Sequence, residues 1–357
     1  VRRAPLAPPP SSPRARSALI LGFALFIGAA LAGCEAAPLR LRFVSSRPAA
    51  ASWAFAIDDR GQGAELLVDD RPRQVGCWRA GREQRCELRG LFPGGHTVEA
   101  RVAGAYLKRS VVIGRPWPQR PLLVRARTVD DVSAAVTAGA DGVVVRVSEA
   151  LAELYDLADA AHRRGARIVI EGGDPEQAIE RAGADAVLDA ELPADLARRF
   201  PDARALRVDA DASRRLAALA EGGPLDGARD LASATGLVET PRGIVAAALA
   251  LLAPRGAILA EPPAAMLPPR RSHAALRDGA ARITTVEGRR LAFTLSTAKD
   301  SVLVAVNGDA AAPWTFATGL AKPLDLLGST ATGPELVIRP GDAAMIVPMP
   351  ASDKQRF

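Results

Sequence analysis

The chain carries three hydrophobic rhythms in succession. From Leu41 to Ile113 apolar and polar positions alternate in short runs, LRFV, SWAFAI, AELLVDD, RQVGCW, RCELRGL, HTVEARV and LKRSVVI, separated by Gly, Asp-Asp and Pro-Gly-Gly. Period-two alternation broken by turn residues predicts half-buried antiparallel strands and hence a β-sandwich. From Leu122 to Pro263 the strands LLVRA, GVVVRV, RIVIEG, AVLDA, ALRVDA, GLVET and AILAE are almost continuously apolar. Between them lie helical patterns at 129–138, 149–164, 174–182, 193–199, 213–221 and 242–252. Unbroken apolar strands between helices belong to a parallel sheet covered on both faces. Seven strands at a repeat of about 20 residues predict a compact or incomplete (β/α) barrel. An open doubly wound sheet is the alternative, although no glycine-rich phosphate loop follows the first strand.

Beyond Pro263 alternation returns in ARITTVEG, RLAFTLS, SVLVAVNG, PWTFAT, PLDLLG, ELVIRP and AAMIVP, a second β-sandwich. The expected fold class is α/β plus β, a barrel flanked by N-terminal and C-terminal β-sandwiches. The expected domains are 40–115, 119–263 and 270–350, with proline-rich junctions between them.

Ahead of this pattern lies an apolar run, Ser17–Cys34, preceded by Arg2, Arg3, Arg14 and Arg16. A basic start, an apolar centre and small residues at the end predict an export signal over 1–33 and a short tether over 34–39. Ala18–Ala32 falls short of the ~20 residues that span a bilayer. Leu31-Ala32-Gly33-Cys34 resembles the lipobox of bacterial lipoproteins, which implies that Cys34 is acylated and holds the chain on a membrane. The expected location is the bacterial cell envelope. Glu35 is not the aspartate associated with inner-membrane retention in enteric bacteria, which favours the outer membrane.

The signal also changes the charge picture. The chain has 46 basic and 40 acidic residues, and the four signal arginines have no acid beside them, leaving 42 against 40. The basic balance is therefore largely an export feature and gives no warrant for nucleic-acid binding. Of three cysteines, Cys77 and Cys86 remain after Cys34, flanking the polar segment WRAGREQR. In an oxidising compartment this reads as a disulfide across a hairpin. Two thiols without a histidine cluster make a poor zinc site. No metal or cofactor is expected.

The last 200 residues resemble the second half of an α-amylase superfamily protein, glycoside hydrolase family 13. Ala275-Leu276-Arg277-Asp278-Gly279 is similar to the ALRxG that opens that family's C-terminal sandwich, and SVLVAVNG to its xVLVVxN strand. Leu324–Gly328 is similar to its DLLxG, and Pro340–Ala343 to its closing PxxA motif. In the body, Gly139–Arg146 resembles GxDGFRxD, Ile168–Glu171 resembles LIGE and Asp185–Asp189 resembles DAVLDFPL. Thr240-Pro241-Arg242 resembles the end of NHDTPR, and Ile258–Glu261 stands in the place of LYYGDE. The strands before the fourth are largely missing. The resemblance implies an amylase-like barrel acting on α-glucans through paired carboxylates.

The departures bear on activity. Retaining glycosidases need a carboxylate nucleophile and a carboxylic acid roughly 5–5.5 Å apart. Arg146 occupies the nucleophile's position and Val144 that of its partner arginine. A guanidinium cannot attack an anomeric carbon, and its charge opposes an oxocarbenium-like transition state. Glu171 stands where the general acid would be, and Glu239 at the place of the stabilising aspartate, with Leu237-Val238 replacing Asn-His. In another register, Arg207-Val208-Asp209 repeats the family's Arg-x-Asp at a strand end. Asp209 is then either a nucleophile or the cap of helix 213–221.

Composition adds a test, because sugar clefts use aromatic platforms. Between Leu122 and Pro263 the chain has no Trp, one Tyr (Tyr155) and one Phe (Phe200). His162 is expected as a solvated residue of helix 149–164. Asp189 and Glu191 are expected either to join Glu171 in a polar rim or to start the helix near Pro193. Trp78 is read as packing on the disulfide or as a ligand platform. The preferred expectation is a lipid-anchored envelope protein with an amylase-like body that has lost hydrolysis and binds α-glucan or another glycan, or serves as a scaffold. An active retaining α-glycosidase and a purely structural lipoprotein with an unidentified protein partner are the alternatives.

Overall fold

The computed structural model describes residues 41–348 apart from 48–51, 58–64, 81–82, 103–104, 148–150, 262–265 and 328–333. The export signal, the tether and Cys34 lie outside the described residues.

Eight strands come first: β1 (Leu41–Arg47), β2 (Ser52–Ile57), β3 (Glu65–Val68), β4 (Arg71–Pro72), β5 (Gly76–Ala80), β6 (Glu83–Leu88), β7 (Gly94–Val102) and β8 (Ala105–Ile113). They form two antiparallel sheets, ordered β1-β2-β6-β5 and β4-β3-β7-β8. Cys77 and Cys86 are register partners on β5 and β6 and form the expected disulfide.

All seven strands read from the central region are present: β9 (Leu122–Ala126), β10 (Gly142–Arg146), β11 (Arg167–Glu171), β12 (Ala186–Leu188), β13 (Arg204–Leu206), β14 (Val238–Thr240) and β15 (Ala257–Leu259). They pair in parallel in the order β13-β12-β11-β10-β9-β15-β14. The sheet curls until its outer strands meet at a parallel bridge between Val208 and Leu237. There Asp209 N donates to Leu237 O and Leu237 N to Arg207 O, both at 2.8 Å. Gly236 permits this approach, since a Cβ there would lie 2.5 Å from the Arg207 carbonyl oxygen.

The connecting helices follow local chemistry. In α1 (Val129–Ala138), Thr128 and Asp131 form a reciprocal capping box, and Gly139, in the left-handed region, closes the far end. Helices α2 (Leu151–His162), α3 (Ala194–Arg199), α4 (Ala210–Glu221) and α5 (Ile244–Ala250) match the sequence reading to within a turn. The expected helix at 174–182 is instead a π-helix over Gln177–Ala182, and a 3₁₀ helix over Leu225–Ser233 was not anticipated.

Inside the curl, Leu123, Val144, Val169, Ala186, Leu188, Leu237 and Ile258 form one buried cluster. Trp117 belongs to the same cluster and plugs the N-terminal end of the barrel. The guanidiniums of Arg167 and Arg204 lie 5.8 and 5.6 Å from its ring centroid.

Two buried polar braces flank this core. On one side His162 Nε2 lies 2.7 Å from Asp185 Oδ2, and His162 Nδ1 lies 3.1 Å from Ser110 Oγ on β8. Asp185 also accepts from Arg167 Nη1 at 2.8 Å and from Ile168 N at 2.9 Å. The expectation of a solvated His162 is thus corrected: it is 1% exposed, because β8 covers the outward face of α2. Its Ser-His-Asp composition is that of a hydrolytic triad, but Ser110 is equally buried and the group braces the fold. On the other side Arg270, also 1% exposed, donates at 2.7 Å both to Asp141 Oδ2 and to the Arg120 carbonyl.

Two short helices, α6 (Leu267–Ser272) and α7 (Ala275–Asp278), lead into seven further strands, all foreseen. They are β16 (Ala280–Glu287), β17 (Arg290–Ser296), β18 (Ser301–Asn307), β19 (Trp314–Ala317), β20 (Pro323–Asp325), β21 (Glu335–Ile338) and β22 (Asp342–Pro348). They make a five-stranded sheet, β16-β17-β18-β22-β20, and a two-stranded one, β19-β21. Residues of both, including Ala305, Trp314, Phe316, Ile338 and Ile346, share one buried cluster. Among the described residues no helix is long and apolar enough to cross a membrane.

Candidate functional site

Side chains two apart on a strand share a face, so the inward residues above the barrel's apolar cluster can be read from it. Above Leu123, Val144, Val169 and Leu237 come Arg125, Arg146, Glu171 and Glu239. These four are charged members of the inward layer at the C-terminal mouth, where barrel enzymes place their chemistry.

The layer is organised by Arg125. Its Nη1 donates to Glu171 Oε2 at 2.7 Å and its Nη2 to Glu171 Oε1 at 3.3 Å. The same Nη2 also donates to Glu239 Oε1. The strand order explains the convergence. β11 and β14 each lie two strands from β9, on opposite sides, so one long side chain reaches both. Because Glu171 Oε1 and Glu239 Oε1 share one nitrogen, they are separated by at most two hydrogen-bond lengths, about 6 Å. The hydrogen bond from Arg125 holds the Glu171 carboxyl below the ordinary carboxylate range, against a smaller upward push from partial burial. The charges of Arg125 and Arg146 act in the same downward direction.

Two of the three carboxylates singled out from the sequence are therefore neighbours, and the third is not part of the pair. Asp209 caps α4: its Oδ1 accepts from Ala212 N at 2.9 Å and its Oδ2 from Thr235 N at 3.0 Å. These backbone hydrogen bonds hold its pKa low. Asp209 therefore does the ordinary work of a strand-end aspartate. Asp189 neither joins the rim nor starts a helix. It adopts a positive φ of 54° and accepts from Val208 N at 2.9 Å, supporting the barrel seam. Glu191 is exposed, 3.6 Å from Arg207. Arg146 ends β10 and is exposed.

Arg125 was not singled out from the sequence. The available signal was alternation: in LLVRA, Arg125 stands two residues after the inward Leu123, on the same face. Of the two aromatics of this region, Tyr155 lies on α2. Phe200 lines a cavity beside Trp117 at the opposite end of the barrel. Among the described residues no group of three or more His, Cys, Asp or Glu side chains is placed to hold a metal ion.

Trp78 does not pack away on the disulfide. It is 49% exposed on β5, the outer strand of its sheet, and lines an open groove of about 520 Å³ with Arg73, Gln74, Glu87 and Arg89.

No protein-family profile and no curated protein matches the chain. Solved structures with some similarity include an α-amylase from Geobacillus thermoleovorans complexed with acarbose. Its TM-score is 0.47, at 10% identity over 65% of this chain and 98% of that one. A pullulanase from Paenibacillus barengoltzii, complexed with maltohexaose and α-cyclodextrin, gives 0.45 at 10% identity over 87% and 95%. A putative α-galactosidase/melibiase from Bacteroides fragilis gives 0.40 at 9% identity over 85% and 97%. Likeness at this level carries no argument about activity, which rests on the mouth itself.

Proposed function

We propose that this chain is a lipid-anchored cell-envelope protein whose amylase-like barrel does not hydrolyse glycosides and which binds glycan through its N-terminal strands. The observation that carries the reading is the Arg125 bridge. A retaining pair needs one carboxyl protonated as the acid and the other free as the nucleophile. Here a single guanidinium engages both, Glu171 is held ionised, and Arg146 adds positive charge where an oxocarbenium ion would develop. Glycan binding is supported by Trp78, whose exposed indole lies among charged and amide side chains that suit sugar hydroxyls. Anchoring is supported by the lipobox-like sequence ending at Cys34.

The test is incubation of the protein with maltooligosaccharides and starch, followed by assay of new reducing ends and of retention on insoluble starch. The expected result is retention that is lost in Trp78→Ala, with no turnover. Turnover abolished by Glu171→Gln overturns the reading. Anchoring is tested by radiolabelled palmitate incorporation, which Cys34→Ser must abolish.

A second reading, an active retaining glycosidase using Glu171 and Glu239, has one observation in its favour: the two carboxylates stand within about 6 Å of each other, compatible with a nucleophile–acid pair. The same turnover assay decides between them.

A further inference from the structure

The end of the barrel opposite the carboxylate mouth carries a cluster of arginines. Around the starts of β9, β10 and β11 a groove of about 690 Å³ is lined by six arginines, Arg115, Arg164, Arg167, Arg270, Arg271 and Arg277. That volume is in the usual range of ligand sites, roughly 300–1,000 Å³. Two acids line the same groove, and both are engaged. Asp141 accepts from Arg270 and from Leu122 N, and Asp278 from Gln119 N. Arg167 is likewise committed to Asp185.

The other four guanidiniums have no carboxylate. Arg115, Arg164 and Arg271 are exposed and Arg277 is half-buried, and among the described residues none of the four forms an ion pair. The Nε of Arg277 is buried without a hydrogen-bond partner. Two of the four are fixed by helix ends: Arg271 donates to the Val136 and Thr137 carbonyls of α1, and Arg164 to the Ala160 carbonyl of α2. Arg115 lies against the backbone at Gly165, which has φ +77° and where a Cβ would stand 2.5 Å from Arg115 Nη1. Arginines that outnumber their counter-charges repel one another, and here six line the groove against two carboxylates. Planar guanidiniums with forked donors are also the side chains best matched to phosphoryl oxygens.

We infer that this groove binds a ligand bearing two or more phosphoryl groups, held by Arg115, Arg164, Arg271 and Arg277. The chemistry is shared by a soluble phosphate ester and by the headgroups of an anionic lipid surface. The inference is independent of the mouth: it needs neither hydrolysis nor glycan binding.

Calorimetric titration of the full chain with inorganic tripolyphosphate at low salt tests it. Saturable binding at about 10 μM or tighter is expected, weakening by at least about tenfold in Arg115→Gln/Arg277→Gln and falling with added salt. Arg146→Gln, at the other end of the barrel, leaves it unchanged. In a second arm, co-sedimentation of full-length Cys34→Ser with phosphatidylglycerol vesicles is measured with and without tripolyphosphate. Sedimentation that is lost in the double variant and competed by tripolyphosphate assigns the site to lipid headgroups, and tripolyphosphate binding without sedimentation on vesicles assigns it to a soluble ligand. No saturable binding of tripolyphosphate, or equal affinity in the double variant with its circular dichroism unchanged, overturns the inference.

Discussion

Asp185→Asn is the sharpest probe of what holds this fold together. Asp185 Oδ1 accepts from Arg167 Nη1, while its Oδ2 accepts from His162 Nε2 and Ile168 N, so three donors converge on one carboxylate. The side chains of Asp185 and Arg167 are each 8% exposed. The amide is isosteric, but its NH₂ turns two donors toward this set and leaves Arg167 buried without a counter-charge. Removing one partner of such a pair costs about 3–5 kcal/mol. In a chain of this size that lowers Tm by roughly 4–7 °C. The effect depends on pH with a definite sign. Burial alone pushes the Asp185 carboxyl up. The charges of His162 and Arg167 and the hydrogen bonds from His162 and Ile168 N outweigh it, leaving the pKa well below the ordinary range. Its stabilisation is therefore fully present above the unfolded-state value near 4 and is lost as pH falls toward the lower folded value. Urea unfolding of wild type and Asp185→Asn at neutral pH and in acid measures both effects. The gap between the two should be widest at neutral pH and narrow in acid. A neutral-pH gap below about 1 kcal/mol, or one independent of pH, refutes the reasoning.

Three further outcomes are expected. Arg125→Met releases Glu171, whose pKa rises toward the ordinary glutamate value in a carbon-detected NMR titration. Stability changes by less than about 1 kcal/mol, because the pair is partly exposed and screened. Gly236→Val forces apart the backbones of Arg207 and Leu237 and costs about 2–3 kcal/mol, with faster amide exchange at Asp209 and Leu237 as its local signature. Cys77→Ser with Cys86→Ser opens a short loop and costs about 2–3 kcal/mol, read from urea midpoints of the oxidised protein and the double variant.

The strands were legible because parallel strands buried on both faces leave an unmistakable trace: VVV in β10 and IVI in β11 have nothing polar to confuse them. What the sequence could not show was which outward faces another element covers. His162 sits where the pattern of α2 points away from the barrel, and only the docking of β8 makes that face interior. The 3₁₀ helix at Leu225–Ser233 was hidden for a different reason. Its buried residues, Leu225, Ala228 and Leu231, recur every three positions, a spacing that drifts around an α-helix but stays on one face of a 3₁₀ helix. The pairing of Glu171 with Glu239 was half legible. Both stand at strand ends, but their convergence depends on Arg125, and a lone arginine in an apolar strand reads as a solvent-facing residue until the inward face is fixed.

That arginine bears on the proposed loss of hydrolysis. If Arg146 were the sole departure from the hydrolase pattern, the mouth would be a working site lacking one group. Instead the charged inward residues are balanced, two guanidiniums against two carboxylates, with one guanidinium shared. Catalysis by paired carboxylates depends on an environment that drives their protonation states apart. A shared cation lowers the cost of ionising both and so works against that difference. Restoring a carboxylate at position 146 would leave Glu171 held by Arg125, with its pKa still lowered. On the proposed reading, the mouth is inert through the coupling of its charges across β9, β11 and β14, not through one substitution.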